Sequence, residues 1–220
     1  MTREIANIYL AWRRGAGSRR VIIGKIKRTA HDLSFSYYQK GLELARAQGL
    51  EGSYTDFPET DSIYKTNVLE IFGQRLNKSE REDISKYYDY WEINPSYKDD
   101  KYYLLAHTQG LLPTDNFEFL ADYNPVMGLS FISELCGLTH LKLSKDIISE
   151  GDILTWKREP TNEQDKYAVK VYKGSTFVGY VKRVHSRVFY KKLRGELKIT
   201  VKSVNKNGHI NRAFITISQD

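Results

Sequence analysis

The apolar and polar positions of the first 125 residues change period several times, as expected of a mixed α/β domain. Residues 7–12 and 20–26 are rich in β-branched and aromatic side chains, and a glycine-containing turn at 15–18 separates them. This arrangement predicts a β-hairpin. Residues 33–38 have the same composition and predict a third strand.

Helical spacing follows the predicted strands. A short helix is predicted within residues 42–49, and apolar residues recur every three to four positions across 63–76. Ser79 and Glu82 form a capping-box signature, in which the serine oxygen accepts a backbone amide and the carboxylate reaches back. We therefore expect a helix at 80–90.

From residue 131 onward the pattern becomes that of a compact β-domain. Asn207 and Gly208 both tolerate positive φ and predict a hairpin turn, and residues 173–175 predict another. Apolar residues at helical spacing across 184–193 predict one helix between the third and fourth strands. Short strands around one helix are typical of a small barrel. The five predicted strands are 153–156, 168–172, 177–181, 197–204 and 210–217.

Proline and glycine at 124–128 interrupt both patterns and mark a domain boundary. We expect an α+β protein with a mixed α/β domain at 1–125 and a β-barrel domain at 130–220. Charge divides in the same place: residues 1–129 carry 17 Lys and Arg against 18 Asp and Glu, and residues 130–220 carry 17 against 9. A basic module attracts polyanions, most often nucleic acid. A lysine-rich surface that only maintains solubility is the alternative.

Composition argues against several other classes of protein. A single cysteine, Cys136, excludes an intramolecular disulfide, and we find neither a signal peptide nor an apolar run long enough to span a membrane. We expect a cytoplasmic protein. The five histidines show no metal-ligand spacing, and residues 15–17 lack the Lys-Ser/Thr of a phosphate-binding loop. We therefore predict no metal, no cofactor and no catalytic residues, that is, no enzyme.

Two segments carry the most specific pattern. Residues 156–171 read Trp-Lys-Arg-Glu-Pro-Thr-Asn-Glu-Gln-Asp-Lys-Tyr-Ala-Val-Lys-Val, and residues 177–183 read Phe-Val-Gly-Tyr-Val-Lys-Arg. In order and spacing they closely resemble the HIRAN domain, which occurs in SWI/SNF-type helicase-like transcription factors and in many small bacterial proteins. The resemblance spans about 130–220. It implies an OB-like barrel with one or two helices that holds the 3′-hydroxyl end of single-stranded DNA.

The polar residues of the first segment have two interpretations. Pro160, Asn162 and Asp165 lie in a predicted loop between strands, where short polar side chains cap the amides of their own loop. Alternatively, they provide an acceptor for a hydroxyl whose neighbouring phosphates need cations. Arg158, Lys182 and Arg183 would supply that positive charge.

The resemblance also assigns roles to individual residues. It implies that Asp165 accepts the terminal hydroxyl, that Asn162 supports the loop, and that Arg183, with Tyr180 beside it, meets the DNA backbone. Further cations would extend a path along or beside the predicted helix, unless they form only its solvated face. These are Lys182, Arg187, Lys191, Lys192 and Arg194.

The sequence departs from the family at one motif. Eukaryotic members carry an Arg-aromatic-aromatic run after a Gly-Leu pair, on which the terminal bases stack, whereas here Gly137-Leu138 is followed by Thr139-His140-Leu141. His140 and Phe214 are candidate replacements, or else ordinary surface and core residues. Since stacking contributes about 1–3 kcal/mol per base, its loss would turn end capture into general DNA binding or abolish binding.

The N-terminal part resembles the N-terminal subdomain of HipA-type toxin kinases, without a kinase portion. Separately, the near-neutral charge of this part and its tyrosine-rich segments 87–88, 90–91 and 102–103 predict a surface for a protein partner, unless those rings belong to the core. The resemblance leaves a second function open, a protein-interaction or regulatory module related to HipA-type toxin–antitoxin systems in which the HIRAN domain has lost 3′-end capture. The matching segments are 9–12, 22–26, 35–38, 57–58 and 72–76.

Overall fold

The computed structural model describes residues 4–15, 17–192 and 195–219, and the chain divides into two compact units between Asp122 and Tyr123. Within those described ranges, none of the helices has the length and apolar character needed to span a bilayer. The α+β class predicted from the sequence is confirmed, with a five-stranded sheet in the first unit and a closed barrel in the second.

The first unit is built on a sheet of order β4-β3-β2-β1-β5. Strands β1 and β2 are antiparallel, with Ile8 opposite Ile26 and Trp12 opposite Val21, so the predicted hairpin is confirmed. The third predicted strand is present beside β2. The strands are β1 (Ile5–Trp12), β2 (Val21–Arg28), β3 (Leu33–Tyr37), β4 (Ile63–Tyr64) and β5 (Phe117–Tyr123).

The helix predicted within 42–49 is present and begins earlier, at Gln39, whereas the next two helices begin later than the sequence predicts. Ile63 belongs to β4, and only Val68–Gly73 of the segment 63–76 is α-helical. The helix expected at 80–90 begins at Ile84, and Ser79 is not its cap. The α-helices are α1 (Gln39–Ala47), α2 (Val68–Gly73), α3 (Ile84–Tyr90) and α4 (Lys101–Thr108), with a 3₁₀ helix at Pro95–Tyr97.

Packing in the first unit depends on aromatic rings and on one close backbone approach. Phe72 lies 5.1 Å from Phe35, 4.8 Å from Phe57 and 4.9 Å from Phe119 between ring centroids. A Cβ on Gly41 would lie 2.0 Å from the carbonyl oxygen of Ile22. Only glycine therefore lets α1 lie this close to β2.

The second unit is a six-stranded barrel closed in the order β10-β11-β6-β9-β8-β7. The five strands predicted from the sequence are all present within it. Its elements are β6 (Ser130–Cys136), α5 (Leu138–Leu141), β7 (Ile153–Glu159), β8 (Ala168–Lys173), β9 (Thr176–Val181), a 3₁₀ helix (His185–Tyr190), β10 (Leu197–Asn207) and β11 (His209–Gln219).

The sixth strand, β6, was not predicted. Its sequence does not show the apolar pattern of a buried strand, because polar residues in its middle are buried. Ser133 lies 2.9 Å from the His185 ring nitrogen Nδ1, and Glu134 pairs with Lys182 and Arg212. These partners make burial of polar groups tolerable, since a buried charge needs a counter-charge.

One further expectation about the barrel is wrong, and the predicted hairpin at Asn207 and Gly208 is confirmed with one difference. The helix predicted across 184–193 is a 3₁₀ helix limited to His185–Tyr190, and residue 193 lies outside the described residues. At the hairpin between β10 and β11, Gly208 alone takes positive φ, at 71°. Asn207 stays in the strand, opposite His209.

Candidate nucleic-acid interface

The loop between β7 and β8 is held by the side chains of Asn162 and Asp165. The Asn162 Oδ1 atom accepts the backbone amides of Gln164 at 3.0 Å and Asp165 at 3.1 Å. Asp165 accepts the Tyr167 amide at 3.0 Å through Oδ1. From the residues that the structure describes, Asp165 Oδ2 accepts no hydrogen bond. The carboxylate thus shapes the loop with one oxygen and leaves the other available on a half-exposed side chain.

Glu159, the last residue of β7, joins the loop to the neighbouring strands. It forms an ion pair with Lys170 on β8. Its Oε2 atom accepts the Asn162 amide Nδ2 at 2.7 Å and the Tyr180 hydroxyl at 3.1 Å. The hydrogen bond from Lys170 contributes most to holding the pKa of Glu159 below its ordinary value. Asn162 and Tyr180 are therefore brought together by a carboxylate that stays ionised at neutral pH.

Arg158 is exposed and lies against an aromatic ring. Its guanidinium carbon is 5.3 Å from the centroid of Tyr190, the last residue of the 3₁₀ helix. The Tyr190 hydroxyl donates to the carbonyl oxygen of Ala168 at 2.8 Å. Burial is the main cause of the raised pKa of Tyr190, and the charges of Arg158 and Asp165 also act on that hydroxyl. The ring thus links Arg158 to the end of the loop that holds Asp165.

A second tyrosine, Tyr167, packs against Tyr190. Tyr167 lies 5.4 Å from Tyr190 between ring centroids, nearly edge to face at 81°. Arg187 and Lys166 lie 5.7 Å and 5.1 Å from the Tyr167 centroid. We call these five residues, Arg158, Lys166, Tyr167, Arg187 and Tyr190, the cation–tyrosine cluster.

Tyr180 lies where β9 passes close to β6. It stands opposite Cys136, and a Cβ on Gly179 would lie 2.7 Å from the Cys136 carbonyl oxygen. Gly179 has a φ of 136°, so both the space and the backbone require glycine. Gly137 borders the Tyr180 ring and begins α5, which carries His140 on its exposed surface. His140 therefore lies three residues after the glycine that borders the Tyr180 ring.

Lys182 must be removed from the predicted DNA contacts. Its side chain is 0% exposed, and its Nζ atom lies 3.2 Å from Glu134 Oε2. Arg183, the next residue, is half-exposed and has no hydrogen bond or ion pair within the described ranges. Val184 then takes a φ of 76° and ψ of −53°, the conformation of a strained γ-turn. Two adjacent cations of the motif thus have opposite environments.

The remaining predicted residues are dispersed. The Lys191 ammonium donates to the Tyr123 carbonyl at 2.7 Å and to Asn124 Oδ1 at 3.1 Å, and Lys192 is exposed. Arg194 lies outside the described residues. Phe214 lies on β11 opposite Glu134, with the Arg212 guanidinium 4.5 Å from its centroid. The structure thus places Phe214 beside the Glu134 ion pairs.

The structure brings four of the predicted residues together at the β7–β8 loop: Arg158, Asn162, Asp165 and Tyr180. Arg187 contacts the same loop at the Tyr167 ring. Sequence reasoning missed Glu159 as their connection and missed both tyrosines of the cluster. Arg187 and Tyr190 are three residues apart, a spacing that aligns side chains in a 3₁₀ helix. Tyr167 gives no such signal, because it looks like an ordinary strand residue before Ala168.

Comparison with known protein families finds a match for the second unit of the chain. Residues 123–216 match the family model described as the HIRAN domain, so this part of the chain contains a HIRAN domain. No curated protein matched the chain. The family match does not extend into residues 1–122, so the resemblance of the first unit to HipA-type kinases stays a prediction.

Two solved structures are similar at low identity. The crystal structure of the HIRAN domain of human HLTF is 20% identical, covering 41% of this chain and 76% of that chain, with a TM-score of 0.32. The crystal structure of a protein from Lactobacillus plantarum is 16% identical, covering 42% of this chain and 96% of that chain, with a TM-score of 0.31.

Proposed function

We propose that the HIRAN domain of residues 123–216 makes this chain a non-enzymatic DNA-binding protein that captures single-stranded or frayed 3′-hydroxyl ends. The observation that carries the proposal is the state of Asp165. One carboxylate oxygen holds the Tyr167 amide at 3.0 Å, and Oδ2 accepts no hydrogen bond from the described residues. A terminal hydroxyl needs an acceptor of this kind, whereas a terminal phosphate is repelled by it.

Arg158, near the end of β7, and Arg183, just after β9, supply positive charge for the phosphates of a bound strand. Arg158 and Arg183 have no carboxylate partner in the described part of the chain. Both are therefore available to phosphates, and Arg side chains bind phosphate oxygens through charge-assisted hydrogen bonds. Asn162 positions the loop and does not contact the DNA itself, since its side chain is bonded to the loop amides and to Glu159.

The test is the substitution Asp165→Asn in the full chain. Asparagine keeps an oxygen for the Tyr167 amide but loses the negative charge, so the loop and the melting temperature should be preserved. Affinity for a single strand with a 3′-hydroxyl should fall about tenfold, as expected for loss of a hydrogen bond to a charged group. Affinity for the same strand with a 3′-phosphate should stay the same or rise.

Asp152→Asn is the matched control. Asp152 also caps a backbone amide, accepting from Ser149 at 2.9 Å, and it pairs with Lys173 away from the β7–β8 loop. This variant should leave the preference between the two ends unchanged. An Asp165→Asn variant with wild-type preference would contradict end capture. If the wild type binds no DNA, the regulatory, protein-interaction function is the better explanation.

A further inference from the structure

We propose that the cation–tyrosine cluster is a base-stacking surface for single-stranded DNA, one that holds nucleotides next to the terminal one and is indifferent to the chemistry of the 3′ end. This inference rests on the proposed function and deepens it. Three separate elements contribute to the cluster: Arg158 comes from β7, Lys166 and Tyr167 from the β7–β8 loop, and Arg187 and Tyr190 from the 3₁₀ helix.

Charge distinguishes this cluster from ordinary packing. Three cations lie within 5.7 Å of the centroids of two tyrosines. Arg158 and Lys166 are exposed and have no carboxylate partner in the described ranges. Cation–π contacts at exposed sites contribute too little to explain gathering like charges in one place. A ligand that brings negative charge together with flat rings would be attracted by both features, and single-stranded nucleic acid is such a ligand.

The cluster adjoins the residue proposed to hold the terminal hydroxyl. The Tyr167 amide is bonded to Asp165 Oδ1, and the Tyr190 hydroxyl is bonded to the carbonyl of Ala168, the residue after Tyr167. A strand that ends at Asp165 therefore has its next bases beside the two rings. Both rings are half-exposed, as stacking requires.

A second aromatic group on the barrel lacks the same electrostatics. Tyr172, Phe177 and Tyr180 form a row on β8 and β9, with centroids 5.7 Å and 5.2 Å apart. The neighbouring Lys170 and Lys173 are paired with Glu159 and Asp152. Because those lysines already have counter-charges, this row attracts phosphates less strongly, and it provides a matched control.

The experiment compares Tyr167→Leu with Tyr172→Leu in the full chain. Both variants remove one half-exposed tyrosine of the barrel and retain an apolar side chain. Affinity is measured for a deoxythymidine decamer ending in either 3′-hydroxyl or 3′-phosphate. Tyr167→Leu should weaken binding of both decamers about five- to 150-fold, the effect of losing one stacked base, and should keep their ratio. Tyr172→Leu should change neither affinity.

Abasic decamers identify the interaction as stacking. With abasic sites at the nucleotides next to the 3′ end, wild type and Tyr167→Leu should bind equally, because no base remains to stack. Tyr190→Phe keeps the ring and should retain wild-type affinity for the normal decamer, which would show that the hydroxyl of Tyr190 is not required. Melting temperatures of all variants are compared with that of wild type, and Tyr167→Leu should melt at the wild-type temperature.

The outcomes separate this inference from the proposed function. A wild type that prefers 3′-hydroxyl ends, combined with a Tyr167→Leu variant of unchanged affinity, would overturn the stacking surface alone. A loss that persists on abasic strands, or equal losses in Tyr167→Leu and Tyr172→Leu, would also overturn it. Tighter binding of polyglutamate or of blunt duplex than of the decamer would show that the cluster serves another polyanion. A wild type that binds none of the strands would overturn both.

Discussion

The cations of the barrel differ in whether a carboxylate of the protein neutralises them. Around β6, the buried Lys182 lies 3.2 Å from Glu134, and Arg212 lies 2.9 Å from the other oxygen of the same carboxylate. Near the β7–β8 loop, Arg158 lies over the Tyr190 ring with no carboxylate partner in the described part of the chain.

This difference shows that the lysines and arginines of a basic sequence are not equally available to a ligand. An ammonium removed from water needs a carboxylate beside it, so a buried lysine contributes to the fold and adds little to the field outside. Lys182 and Arg183 are adjacent in the same motif, yet only Arg183 is accessible to a ligand. The number of Lys and Arg residues after residue 129 therefore overstates the number of cations that DNA can contact.

The largest expected effect is on stability, from Lys182→Met. Methionine keeps most of the apolar stem but removes the charge that faces Glu134, and breaking a buried ion pair costs about 3 kcal/mol. Urea unfolding should show this loss. At a temperature where the variant is folded, DNA affinity should equal that of wild type. A stable variant that fails to bind DNA would show that Lys182 contributes to binding and would contradict its assignment to the fold alone.

A smaller effect, on binding alone, is expected from Arg183→Gln. Removal of one phosphate contact should weaken binding of single strands several-fold at low salt. It should also reduce the slope of log affinity against log salt by about 0.7. The unfolding free energy should not change, since Arg183 has no ion pair in the described residues. An unchanged salt slope would contradict a phosphate contact.

The smallest effect concerns pH and Glu159. The pKa of Glu159 is lowered in the folded state, mainly by the hydrogen bond from Lys170. A lowered pKa means a stabilising contribution that is present above the unfolded value of about 4.3 and is lost as the pH falls through the folded value. Between pH 6 and pH 3, wild type should lose more unfolding free energy than Glu159→Gln. The difference should be below about 1 kcal/mol because the pair is partly exposed. Parallel pH profiles would show that this pair adds no stability.

Much of the barrel was predictable because its signals are local. Gly208 alone can turn the β10–β11 hairpin, and the β-branched segments on either side form strands in any context that buries one face. The positions of Asn162 and Asp165 in the β7–β8 loop were predictable for the same reason. Short polar side chains bond to amides two or three residues away, as both do here.

Strand β6 shows where local signals fail. Ser133 and Glu134 look like surface residues, and only their partners His185 and Lys182, about fifty residues later, explain why they are buried. The helix expected after Ser79 begins instead at Ile84, so a capping signature in the sequence does not by itself fix where a helix begins.

The sequence by itself determined that the chain is an α+β protein whose last ninety or so residues form a basic β-barrel with a polar loop, because these properties depend on composition, period and short-range hydrogen bonds. Only the tertiary structure decided that Lys182 is internal, that Glu159 joins Asn162 to Tyr180, and that Tyr167 meets Tyr190 under two arginines. Apart from the bond between Glu159 and Asn162, these contacts join residues that are distant in sequence, and the closure of the barrel brings them together.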